Sequence, residues 1–394
     1  MTAPWWLGGS LTIGAAGLEM AGRSVAALAA ETDTPLYLYD SARVRAQVAE
    51  VRAALAPFRD ARICYAMKAN RFGPILDLLR REGADIDACS PRELAVARSA
   101  GFASAQISVT ASSLSDSDLH AFADAGVHVN FDHAPTLRRY AELVPRGTRI
   151  GLRIDPGVHV GYGVNSRTDY GDSRLGLVPE DTGDALMAAA DAGLVVDTLH
   201  MHLGWGLRAR DEADFRRALG VLAGLAPRVP DLRCINVGGG LGGRLRQADE
   251  PLSAGRWAAA IAAVFGHGGP TIACELGTHL VATSGMLVAR VTATWTKNGE
   301  HWAGLDVGQA ANVYAAHYGL ELEFVVVDRP LAAATERLSI GGNINESGDV
   351  FARHRMLPPL AGGDRIAILP AGAYGSSMAS DHCLRGGFAE RLLP

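Results

Sequence analysis

Eight short β-rich runs recur at regular intervals along this chain, with helix-patterned segments between most of them, and few architectures accept that alternation. The runs are Arg62–Ala66, Asp85–Ala88, Gln106–Thr110, Val127–Phe131, Arg149–Ile154, Val195–Met201, Arg233–Val237 and Thr271–Glu275. Between them, Ile75–Arg81, Arg92–Ser99, Ser115–Ala125 and Asp211–Leu225 carry apolar residues at the three- and four-residue spacing of an amphipathic helix. Runs such as Ile235-Asn236-Val237 suit burial on both faces, as the inner strands of a parallel sheet require. Strand and helix alternating eight times over about 220 residues predict a (β/α)8 TIM barrel.

The flanks differ in character. Leu36–Tyr39 resembles a strand, and Val44, Val48, Val51 and Leu55 give Ala42–Phe58 a helical pattern. After Glu275 the chain is β-rich, and Asn298-Gly299 between Trp295 and Trp302 signals a tight hairpin. At 394 residues the chain exceeds one ordinary core. The expected division is residues 1–35 as N-terminal strands packing with the last domain, 36–276 as the barrel, and 277–394 as a mostly β domain. A hydrophobic content of 48% with 20% charged residues suits a well-packed enzyme. The net charge of −5 is spread without basic clusters, which argues against nucleic acid. No apolar run approaches a membrane span, and the N-terminus lacks the basic region of a signal peptide. Five cysteines without metal-ligand spacing read as buried thiols of a cytoplasmic protein, and no metal is expected.

In such a barrel, chemistry collects at the C-terminal ends of the strands. Lys68 follows the first run, His200 and His202 close the sixth, Gly238-Gly239-Gly240 the seventh, and Glu275 the eighth. A lysine at the lip of a core has a lowered pKa and can form a Schiff base with an aldehyde cofactor. Alone, it reads more simply as a surface residue ending a strand. The glycines offer backbone N–H groups for a phosphate, although a plain turn and a dinucleotide fingerprint remain alternatives. Glu275 would be largely removed from water and needs a cationic partner, for which a protonated pyridine nitrogen is suitable. His202 could stack on a flat ring or be a satisfied core histidine.

Tyr65–Asn70, His200–Gly204, Asn236–Gly240, Cys274–Gly277, Glu346–Asp349 and Gly372–Gly375 resemble, in order, motifs of the fold-type III pyridoxal-phosphate decarboxylases. That family combines an alanine-racemase-like barrel with a β domain. The likeness is strongest to its diaminopimelate decarboxylase branch, related to ornithine and arginine decarboxylases, and it covers nearly the whole chain. It implies pyridoxal 5′-phosphate (PLP) as cofactor and Lys68 as the Schiff-base lysine. It makes His202 the ring-stacking histidine, Glu275 the pyridine partner, Gly238, Gly239, Gly240 and Tyr374 phosphate ligands, and Asp87 and Arg153 supports of the cofactor site. It also implies a homodimer with shared active sites, Glu346 entering from the partner chain.

The departures shape the expected substrate. Relatives usually have a cysteine at position 345 that helps protonate the substrate carbon after CO2 is lost; Asn345 cannot act as an acid. Diaminopimelate enzymes clamp a distal carboxylate with arginines where this chain has Thr278 and Tyr314, and Tyr318 lies close by in the same substrate segment. A hydroxyl does not replace a bidentate guanidinium. Trp205 stands where a phosphate-binding serine is common. The reading is a PLP-dependent α-decarboxylase of an amino acid, free or carrier-tethered, other than diaminopimelate, with Asn345 placed among the catalytic positions. The rivals are a racemase or epimerase on the same scaffold and a non-catalytic PLP-binding homologue.

Overall fold

The run Ile63-Cys64-Tyr65-Ala66 is buried throughout, so it belongs inside a sheet covered on both faces. The computed structural model, which describes residues 3–158, 160–162 and 173–394, places it there. Eight parallel strands close into a barrel: β1 (Ala61–Ala66), β2 (Asp85–Ala88), β3 (Ile107–Thr110), β4 (His128–Phe131), β5 (Arg149–Ile154), β6 (Val195–Met201), β7 (Cys234–Asn236) and β8 (Thr271–Leu276). They lie in chain order around the barrel, with β8 pairing β1 to close it. Each coincides with a run read from the sequence to within a residue or two at its ends.

The connecting helices form for local reasons. Gly73–Arg81 presents Ile75, Leu76, Leu78 and Leu79 to the core and carries a proline in its first turn. Ser90 caps Pro91–Ser99 by accepting from the Glu93 amide at 3.2 Å, and Glu93 accepts in return from the Cys89 amide at 2.7 Å. That reciprocal cap fixes the chain just beyond β2, on the rim where Lys68 lies.

The chain divides into two compact units: Gln47–Gly242 with Glu250–His279, which contains the barrel, and Met1–Ala46 with Gly243–Asp249 and Leu280–Pro394. In the second unit a sheet runs in the order Glu323–Val326, Arg365–Leu369, Gly285–Lys297, Glu300–Leu305, Glu336–Gly341, Val350–Leu357. Asn298 and Gly299, both at positive φ, turn the hairpin between Gly285–Lys297 and Glu300–Leu305. The strand Leu36–Asp40, grouped with the barrel on sequence grounds, instead pairs antiparallel with Gly285–Lys297 and parallel with Ala389–Leu393. All five of its residues are buried. An apolar run of this kind satisfies either sheet, and periodicity does not choose between them. The N-terminal strands join the same core, where Leu18 and Met20 pack in one cluster with Leu36, Leu38, Met286 and Val288.

Candidate active site

Lys68 sits in a short 3-10 turn, Met67–Ala69, directly after β1. Two hydrogen bonds shape the turn: the Tyr65 hydroxyl donates to the Asn70 carbonyl at 2.9 Å, and the Phe72 amide donates to Asn70 Oδ1 at 2.9 Å. The side chain is 43% exposed, and its Nζ donates to Asp87 Oδ2 at 3.1 Å and to Cys89 Sγ at 3.6 Å. Asp87 has no exposure, and its Oδ1 has no partner among the described residues. Burial pushes its carboxyl up to about 7; the charge of Glu275 adds to this, and Lys68 opposes it. The sequence contains two lysines, Lys68 and Lys297, and Lys297 is exposed at the hairpin end.

Glu275, 5% exposed, lies at the end of β8 with both carboxylate oxygens engaged. Oε1 accepts from Asn236 Nδ2 at 2.8 Å and Thr110 Oγ1 at 3.2 Å, and Oε2 faces His200 Nε2 at 2.9 Å. Burial alone would raise its pKa; His200 foremost, then Lys68, outweigh this and hold the carboxyl at about 2. Since the carboxylate can only accept, the His200 proton facing it is on Nε2. His200 is thus one hydrogen-bond partner of the buried carboxylate. Sequence reasoning saw the histidine pair but not this role, because barrel register decides it: His200 aligns with Asn236 on β7 and Arg153 on β5. Thr110 and Cys89 are site neighbours that no motif in the sequence marks, and Asn236, the first residue of the Asn236–Gly240 motif, serves as a donor to Glu275.

His202 Nδ1 accepts the Gly239 amide at 3.2 Å. Burial, then the Arg153 and Lys68 cations, lower its pKa well below the ordinary histidine range, so the ring is neutral near pH 7. Arg153 ends β5 and is 8% exposed. The glycines after β7 are sterically required. Gly238 and Gly240 have φ of +65° and +95°; a Cβ would strike the Met201 carbonyl at Gly238 and lie 2.9 Å from the Gly204 carbonyl at Gly240. Thr278, also 8% exposed, opens the helical turn Thr278–Val281 just after β8.

The remaining candidates belong to the β unit. Tyr374, at φ +60°, stacks on buried Tyr314 with ring centroids 4.9 Å apart, and Tyr318 meets Tyr314 edge-on at 5.3 Å. Asn345 is exposed, and the exposed Glu346 pairs with His382 at 3.2 Å. Among the described residues no cluster of His, Cys, Asp or Glu could hold a metal ion, and no helix is long and apolar enough to cross a membrane.

The barrel rim suits PLP. It offers one half-exposed amine, a buried carboxylate kept anionic with lone-pair capacity to spare, a flat neutral imidazole, and a backbone bend into which no side chain fits. A fold and rim of this kind define the PLP-dependent decarboxylases built on a TIM barrel. The chain belongs to that family: residues 41–282 match "Pyridoxal-dependent decarboxylase, pyridoxal binding domain", and the protein is a PLP-dependent carboxy-lyase. More particularly, it is 33% identical to the diaminopimelate decarboxylase of Methanothermobacter thermautotrophicus over 95% of this chain and 90% of that one. The diaminopimelate decarboxylase of Deinococcus radiodurans is 34% identical over 91% of this chain and 90% of its own. The crystal structure of Helicobacter pylori diaminopimelate decarboxylase complexed with L-lysine superposes with a TM-score of 0.84 at 26% identity, covering 94% of each chain.

Proposed function

We propose that the chain removes the α-carboxylate of an amino acid other than meso-diaminopimelate. The observation that carries this reading is Thr278, a buried hydroxyl three residues beyond Glu275 where the diaminopimelate branch has arginine. A threonine cannot make the paired, charged hydrogen bonds by which a guanidinium holds a distal carboxylate. Tyr314, at the other expected arginine position, is packed between two tyrosines and offers no cation.

In this reading Lys68 would hold the cofactor through Nζ, the side-chain-free bend Gly238–Gly240, shaped by the Gly238 amide donating to Asn236 Oδ1 and the Gly239 amide to His202 Nδ1, would admit its phosphate, and the His202 imidazole would face its ring. Glu275 keeps a negative charge against the ring nitrogen. Asp87 and Arg153 support the site through Lys68 and His202. Bound there, PLP supplies a conjugated ring that takes up the electron pair left when CO2 departs. Tyr374 as a phosphate ligand, Tyr318 and Glu346 as substrate contacts, and a homodimer with shared sites rest on family likeness. Glu346 supports a substrate whose far end is cationic or donates hydrogen bonds.

A panel of amino acids tests this by CO2 release. Catalytic efficiency is expected to be highest for a substrate with an amine, amide or guanidine at its far end and lower for meso-diaminopimelate. A ranking led by meso-diaminopimelate overturns the reading.

Asn345 makes a second expectation. CO2 loss does not depend on an acid at this position, but the later protonation of carbon does, and Asn345 supplies no proton. That proton must come from Lys68, His202 or water. Asn345→Cys is expected to speed amine release or to suppress a carbonyl by-product, read by chromatographic product ratio. An unchanged rate and ratio would remove Asn345 from the protonation step.

A further inference from the structure

Trp205 gives up the hydroxyl expected at its position, and the structure shows what the indole does instead. Its ring stacks on Tyr162, centroids 4.6 Å apart and planes 14° from parallel. The Arg208 guanidinium lies 5.2 Å from the Tyr162 ring centre and donates through Nη2 to the carbonyls of Tyr162 at 2.6 Å and Gly161 at 3.2 Å. Gly206, at φ +75°, lets the Tyr162 ring settle on the loop, since a Cβ there would lie 2.6 Å from Tyr162 Cδ2. The cluster stands where three rim loops are laced by their backbones. The Val160 amide donates to the Leu203 carbonyl at 3.1 Å, and the Leu207 amide to the Gly240 carbonyl at 2.9 Å. The Ala209 amide donates to the Glu250 carbonyl at 3.0 Å. The loop bearing Trp205 is therefore tied on one side to the segment after β5 and on the other to the glycine bend itself.

We propose that Trp205, Tyr162 and Arg208 form a clasp that holds Gly238–Gly240 in its phosphate-accepting shape, so that Trp205 is a positioning residue acting through the loop rather than a phosphate ligand. The physical basis is preorganisation. A glycine-rich bend is the most freely moving backbone a rim can carry, and ordering it on binding weakens affinity. Lacing the bend to a loop fixed by a ring stack and a cation over a ring removes that loss before the phosphate arrives. The proposal rests on PLP being the cofactor held at Lys68.

The test compares two ligands on cofactor-free protein: PLP, and pyridoxal, which has the same ring and aldehyde but no phosphate. Trp205→Ala is expected to raise the Kd for PLP about tenfold, the upper end of what loss of one aromatic stack provides. The Kd for pyridoxal should stay within about twofold, since it lacks the phosphate that the glycine bend receives and meets the bend only indirectly, through His202. Trp205→Phe, which keeps a ring, should restore PLP affinity, and Trp205→Leu replaces the alanine variant should that one not fold. Tyr162→Ala should match Trp205→Ala, and the double variant should be no worse than either, because one clasp is broken once. Equal losses for PLP and pyridoxal would reduce the clasp to general structural support. Unchanged PLP affinity, additive losses, or tighter PLP binding by Trp205→Ser would also overturn it. Borohydride reduction of wild-type protein with PLP separates the two failures: a label on Lys297 defeats the cofactor reading, whereas the PLP-to-pyridoxal ratio judges the clasp alone.

Discussion

Lys68→Ala is expected to lower decarboxylation by about 10²–10⁴-fold, the range for losing a positioned proton-transfer group, and to abolish the borohydride-stable cofactor label. The chain makes this test unusually sharp, because Lys297 is the only other lysine and lies exposed at the end of a β hairpin. Lys68 is the lysine with a built environment. Its turn is held by the Tyr65–Asn70 and Phe72–Asn70 hydrogen bonds, and its amine is aimed by Asp87 and Cys89. Peptide mapping of reduced wild-type protein should find the label on Lys68. A Lys68→Ala protein that keeps wild-type turnover, or a wild-type label on Lys297, would end the assignment. Lys68→Arg sharpens the reading: it keeps the charge beside Asp87 but cannot bond to an aldehyde, so it should fold like wild type and fail like alanine.

The barrel was legible because its signal is repeated eight times and each strand, buried on both faces, is written as an apolar run. The rim was legible for a related reason: in this architecture a residue just past a strand end has a known address, and Lys68, His202, Gly238 and Glu275 all sit at such addresses. What the sequence hid is set by register and by contacts across the barrel. Thr110 and Glu275 are 165 positions apart and share a hydrogen bond only because β3 and β8 point into one interior. Cys89 looked like one more buried thiol, yet the cap between Ser90 and Glu93 sets it within reach of Lys68. Leu36–Asp40 falls on the barrel side of the expected boundary at residue 36 yet pairs in the other sheet, because a wholly buried strand carries no mark of which neighbours bury it.

Glu275→Gln is expected to leave PLP bound while lowering turnover by about 10²–10³-fold, the loss typical of one preorganised electrostatic group. Glutamine has the same shape and can still accept from Asn236 and Thr110, while its NH2 faces His200 Nε2, which must move its proton to Nδ1 to accept; the rim should persist and the negative charge disappears. The cofactor-free protein offers an independent check through pH. Glu275 titrates near 2 in the folded chain, against an ordinary value of 4.5, so its contribution to stability is present above about 4.5 and is lost as pH falls toward 2. Asp87 behaves oppositely. With its pKa raised from 3.8 to about 7, the folded chain holds a proton that the unfolded chain has released, and stability falls as pH rises through that window. Part of the rise at Asp87 comes from the charge on Glu275, after burial itself. Melting temperature measured against pH should therefore show two changes in Glu275→Gln. The loss of stability below about pH 4.5 becomes shallower, and the decline attributed to Asp87 still begins near its ordinary 3.8 but ends at lower pH. Unchanged turnover would remove Glu275 from the chemistry. Unchanged melting curves would show that its charge is not felt at Asp87, and that the two carboxyls across the barrel mouth titrate independently.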